Sequence, residues 1–67
     1  MDIKISTEFI KLDQLLKFSG VAGSGSDAKM LILEEEVSVN GEIATQRGKK
    51  IRPGDIIQVG DQIINVC

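Results

Sequence analysis

Val37-Ser38-Val39-Asn40-Gly41-Glu42-Ile43-Ala44 reads as a β-hairpin, and the rest of the chain can be ordered around it. Val37 and Val39 alternate with Ser38, the period of a half-buried strand. Asn40-Gly41 suits a two-residue turn, because both central positions need φ above zero, which Gly adopts freely and Asn tolerates. Downstream, Arg52-Pro53-Gly54-Asp55 places Pro and Gly where a type II turn wants them. Ile56 to Val59 then continues as a strand, and Gly60-Asp61 turns the chain into a last strand from Gln62 to Val66.

Upstream the period changes from two to that of a helix. Phe9, Leu12, Leu15 and Leu16 recur at helical spacing, with Thr7 placed as a cap and Glu8 in the first turn, where a negative charge suits the macrodipole. This helix should end near Ser19 and Gly20. The segment Gly20-Val21-Ala22-Gly23-Ser24-Gly25-Ser26 is too rich in Gly to continue it. A second helix follows, with Ser24 or Ser26 as N-cap, Asp27 at its positive end, and Ala28, Leu31 and Ile32 as the inward stripe, reaching Glu34 or Glu35. Asp2 to Ser6 alternates through Ile3 and Ile5 as a short first strand. The expected class is α+β: a short N-terminal strand, two helices, then a small antiparallel sheet of three to four strands, in a single domain over residues 1–67.

Composition narrows the function. A chain of 67 residues more readily offers a surface than a closed cleft. Phe9 and Phe18 are the only aromatics and are read as core, so base stacking on an aromatic sheet is nearly excluded. The net charge of −2 argues against indiscriminate coating of nucleic acid. The charge is segregated, however: Arg47, Lys49, Lys50 and Arg52 fall together, apart from the acidic run Glu34, Glu35 and Glu36. Histidine is absent, removing the commonest general base and metal ligand, and Cys67 is the only cysteine. Neither a metal, a cofactor nor a small-molecule substrate is expected. The N-terminus lacks a signal-peptide pattern and no apolar run nears membrane-spanning length, so a cytoplasmic protein without membrane contact is the expectation.

Two segments are candidate binding elements. The free N–H groups opening the second helix point at Ser24-Gly25-Ser26, where glycine lets a phosphate approach closely, and Lys29 adds charge one turn on. Lys11 and Lys17 project from the first helix, six residues apart, so at most one shares this face. Spacing alone favours capping serines and solvated lysines for the same residues, since capping is the usual reason for Ser at such a position. Arg47, Lys49, Lys50 and Arg52 occupy an exposed loop with Ile51 as inward anchor; they can lie along an RNA backbone or simply guard a strand edge from pairing. Glu34, Glu35 and Glu36 are a solvated helix end or a docking patch for a protein partner. Successive residues point in different directions, so the run falls short of a metal site.

Lys11-Leu12-Asp13-Gln14-Leu15-Leu16-Lys17, Gly23-Ser24-Gly25-Ser26-Asp27-Ala28-Lys29 and Val37-Ser38-Val39-Asn40-Gly41 together resemble the S-four (αL) RNA-binding family. Pro53-Gly54-Asp55-Ile56-Ile57 matches that family's later turn and strand. The chain is most similar to its small stand-alone bacterial branch, which tends to carry a basic stretch like Gln46-Arg47-Gly48-Lys49-Lys50. It departs from the larger family at Gly25, where Arg is frequent, and at Glu35, where Gly is frequent. The resemblance implies an αL motif in the two helices, binding of structured RNA through phosphates, and ribosomal RNA in assembly or translation as the target. It tips Lys11, Lys17, Ser24, Gly25, Ser26, Lys29, Arg47, Lys49, Lys50 and Arg52 towards an RNA-binding role.

The rival reading is a β-grasp or other small protein-interaction module. A sulfur carrier of that kind needs a C-terminal Gly-Gly, whereas this chain ends Ile64-Asn65-Val66-Cys67, and a β-grasp fold opens with a hairpin. An enzyme is not expected, since Cys67 has no histidine to activate it.

Overall fold

The Asn40-Gly41 turn forms as its residues require: φ is 52° at Asn40 and 88° at Gly41. Val39 therefore lies opposite Glu42, and β3 (Val37–Val39) pairs antiparallel with β4 (Glu42–Ile43). The structure, a computed structural model, describes residues 1–67. Preceding these strands in the chain are β1 (Asp2–Ile3), β2 (Ile10–Lys11), α1 (Leu12–Phe18) and α2 (Gly25–Leu33). Following them are β5 (Lys50–Ile51), β6 (Ile56–Val59) and β7 (Gln62–Val66).

The class is α+β, as the sequence indicates, with a strand, two helices and then a sheet. The main sheet has the order β1-β7-β6-β3-β4. The N-terminal strand extends it as a parallel edge, Asp2 opposite Asn65 and Ile3 opposite Val66, so the sheet is mixed and five-stranded. A parallel pair needs a long crossover, and the two helices lie within it. The first strand is also shorter than the alternation in Asp2 to Ser6 suggests, although Ile5 N still donates to Cys67 O at 3.0 Å.

All fourteen buried residues are apolar. Leu12, Leu15 and Leu16 of α1 and Ala28 and Ile32 of α2 meet Val37, Val39, Ile57, Val59, Ile64 and Val66 on one face of the sheet. Each large aliphatic side chain fully buried there contributes on the order of 1.5–3 kcal/mol. Leu31 packs only partly against this core. The opposite face presents Ser38, Gln58 and Ile63 along one cross-strand row to solvent.

Two expectations need correction. Helix α1 begins at Leu12, not after Thr7, because Ile10 and Lys11 are drawn into a second, two-stranded sheet opposite Ile51 and Lys50. Thr7 caps nothing; its hydroxyl donates to Phe9 O at 2.8 Å. Nor is Phe18 a core residue, being 66% exposed. With Leu12, Leu15 and Leu16 facing in, Phe18 lies roughly 110° away around the helix at 100° per residue. Phe9 is half-buried.

Candidate nucleic-acid interface

Ser24, not Ser26, is the N-cap of α2. Its backbone is extended and its Oγ accepts from Asp27 N at 3.2 Å, while Ser24 O accepts from Ala28 N at 3.0 Å. Neither Gly25 N nor Ser26 N donates to any loop or cap acceptor, and both residues are exposed. The amides opening this helix are thus available to an anion, in the direction the macrodipole favours.

Gly25, Lys29 and Leu33 follow at intervals of four and so run along one side of α2. That side faces the segment after β4. Lys29, Ile32 and Leu33 form one wall of an open groove of about 480 Å³, and Thr45, Gln46, Arg47 and Gly48 form the other. Beyond Thr45 and Gln46 lies a second concavity of about 420 Å³, reached by Lys49 and bordered by Asn40, Glu42 and Ile43. Lys29, Arg47 and Lys49 are thereby gathered around Thr45-Gln46. No lysine ammonium or arginine guanidinium donates an intramolecular hydrogen bond.

The basic stretch is held more firmly than an exposed loop. Lys50 and Ile51 form β5 against β2, with Ile51 fully buried. Lys49 O accepts from Leu12 N at 2.9 Å and Arg47 O accepts from Asp13 N at 3.0 Å. These carbonyls satisfy amides that α1, whose N-cap Lys11 makes no side-chain bond, would otherwise leave open. Arg47 and Lys49 are thus displayed from a backbone pinned at both residues.

The other cations are placed differently. Lys11 sits directly opposite Lys50 across the small sheet. Lys50 Nζ lies 5.0 Å from the centre of the Phe9 ring, a cation–π contact that engages its charge. Lys17 is in the last turn of α1, where it suits the helix dipole and is not part of either concavity. Arg52 begins the Pro53-Gly54 turn, and its N–H donates to Asp55 Oδ2 at 2.8 Å. That bond, then one from the Asn40 side-chain amide, holds the Asp55 carboxyl below its ordinary range against the opposing effect of burial, with the positive charges of Lys49 and Arg52 assisting to a lesser degree.

Glu34, Glu35 and Glu36 form the exposed C-terminal end of α2, with Glu34 as its C-cap. Glu35 takes φ 59°; its N–H donates to Ile32 O and that of Glu36 to Leu31 O, both at 3.1 Å. Reading the sequence missed Ile32, Leu33 and Thr45 as groove walls. The available signal was Leu33, an apolar residue four positions after Lys29 on a face that an amphipathic helix leaves polar.

One sheet face covered by two successive helices, with cations displayed along an open groove and no polar side chain buried in the core, defines a surface-binding module. The family model for the S4 domain matches residues 3–67, and the chain belongs to that family. It is 44% identical over 57 residues to the probable ribosome maturation protein RlbA of Bacillus subtilis (strain 168), covering 85% of this chain and 80% of that one. Against small ribosomal subunit protein uS4 of Coxiella burnetii (strain RSA 493 / Nine Mile phase I), identity is 35% over 49 residues, 73% of this chain and 24% of uS4. A crystal structure of pseudouridylate synthase superposes with a TM-score of 0.74 at 26% identity, over 84% of this chain and 24% of that one. This chain therefore corresponds to a small part of the latter two proteins and to most of the first. The S4 match, with both helices preceding the hairpin, sets aside the β-grasp alternative. No helix is long and apolar enough to cross a membrane.

Proposed function

We propose that this chain binds structured RNA in a ribosome-related setting, holding phosphates along α2 and the adjoining basic segment. The observation that carries the reading is the pairing of Lys29 with Arg47 on opposite walls of one groove, on the side of α2 that begins at the free amides of Gly25 and Ser26. Phosphate oxygens are the ligands such donors suit, and a run of them spaced along a backbone fits an open groove better than a single small anion does. Because Arg47 O and Lys49 O are fixed by α1, little backbone entropy remains to be lost on binding.

Lys11 and Lys50, opposite each other in the small sheet, supply a secondary positive patch, and neither Arg52 nor Lys17 lines the groove. Recognition rests on phosphate position and RNA shape, since Phe18 is exposed away from the groove and Phe9 is covered by Lys50. Relatives named for ribosome maturation and for the small subunit favour ribosomal RNA as the target. The reading is of a binder without catalysis: the chain has no histidine and its buried set is wholly apolar, so no enclosed acid or base is at hand.

Crosslinking in cells followed by sequencing of the recovered RNA tests this, with Lys29, Arg47 and Lys49 changed together to Glu. Recovery should fall to background in the variant while the fold, followed by circular dichroism, is retained. Undiminished recovery would overturn the proposed surface.

A further inference from the structure

Asn40-Gly41 makes the hairpin, and it is also the kind of pair at which a polypeptide most readily attacks itself, because glycine places no side chain beside the following amide nitrogen. In that reaction the Gly41 nitrogen loses its proton to base and attacks Asn40 Cγ. A C–N bond forms and the side-chain nitrogen leaves as ammonia, taking a proton from solvent. Water then opens the cyclic imide at either carbonyl, giving aspartate or isoaspartate. Water is the only co-reactant.

In the folded chain both ends of the Asn40 amide are engaged. Nδ2 donates to Asp55 Oδ1 at 3.0 Å, and Oδ1 accepts from Ile56 N at 2.9 Å. The Asn40 backbone N–H donates to Ile56 O at 2.7 Å, fixing the main chain beside the same residue. Asp55 is itself oriented by the Arg52 N–H on its other oxygen at 2.8 Å. Asn40 is exposed, so water and base reach it freely. Two hydrogen bonds, one of them to a carboxylate, thus resist any rotation of the Asn40 side chain towards an attack geometry.

We propose that Asn40 is a latent deamidation site, kept in its amide form by Asp55 and Ile56, and that conversion to the acid unlatches the hairpin from the Pro53-Gly54 turn. An aspartate at position 40 has no N–H for Asp55 and sets two carboxylates face to face. Isoaspartate adds a backbone carbon to a turn whose length sets the register of β3 and β4. Lys49 borders the same concavity as Asn40, so the change reaches the edge of the basic surface.

The test is peptide-mapping mass spectrometry of residue 40 during incubation of the intact protein in mildly alkaline buffer. Wild type is compared with Asp55→Ala, with Ile32→Val as a remote variant that also lowers thermal stability, and with a free peptide of residues 37–44. Asp55→Ala should deamidate about tenfold faster than wild type, as expected when a charge-assisted hydrogen bond no longer closes the site. Ile32→Val should stay near the wild-type rate. If Asp55→Ala fails to fold, Asp55→Asn carries the test: it keeps an acceptor but loses the charge, and about a threefold acceleration is expected. Wild type reacting as fast as the peptide, no acceleration at position 55, or equal acceleration by Ile32→Val would each overturn the proposal.

Discussion

Glu35 holds φ 59° directly after α2, a conformation that costs a residue with a Cβ about 1–2 kcal/mol relative to glycine. It is held there because the Glu35 and Glu36 N–H groups close back onto Ile32 O and Leu31 O, the paired bonds of a Schellman ending. The sequence signals an ending here but not its geometry, since a three-glutamate run carries none of glycine's left-handed preference. Glu35→Gly should therefore raise stability by about 1 kcal/mol and the melting temperature by roughly 4–8 °C in a domain of this size. Thermal melts followed by circular dichroism measure it. An unchanged or lower melting temperature would mean that the Glu35 side chain makes a compensating contribution. The cap of α2 was legible to within two residues, Ser24 or Ser26, for the opposite reason: N-capping is a local bond between a side chain and an amide three residues on.

Among the elements, those specified by neighbouring residues could be read and those specified by distant ones could not. Both turns form where Asn40-Gly41 and Pro53-Gly54 place them, with φ 100° at Gly54 and Asp55 N donating to Arg52 O at 3.0 Å. The start of α1 and the strand character of Lys50-Ile51 depend on each other across the chain, and no local pattern in either reports the other. The two legible turns are joined by Asn40 and Asp55, which gives the junction a pH dependence. Asp55 is held below its ordinary range by the Arg52 N–H and then the Asn40 amide, so its folded state favours the carboxylate. That stabilisation is complete above the unfolded value, about 4, and is lost as pH falls through the lower folded value. Melting temperatures measured across the acid range should fall more steeply below about pH 4 in wild type than in Asp55→Asn. Parallel curves would show that Asp55 contributes nothing to the acid response.

At the scale of the molecule, the accessible surface is 4291 Å², near the roughly 4,200 Å² expected of a folded monomer of 7.3 kDa. The Cα radius of gyration is 10.3 Å, against about 11 Å for a compact chain of this length. So small a body has little interior to specialise, and its fourteen buried residues all serve cohesion. Segregated charge was visible in the sequence, but which cations share a face was not. Lys29 and Arg47 line one groove because α2 and the segment after β4 border it, whereas Lys17, on the neighbouring helix, is not among its walls. The claim that phosphate contacts along this groove carry RNA binding is tested most directly by titrating a fluorescein-labelled RNA hairpin at several salt concentrations. For about three to five phosphates neutralised, log K should fall against log salt with a slope on the order of −2 to −5. The slope should become shallower by about one unit in Lys29→Ala and in Arg47→Ala, and stay unchanged in Lys17→Ala. An affinity indifferent to salt, or a Lys17→Ala effect equal to that of Lys29→Ala, would contradict the account.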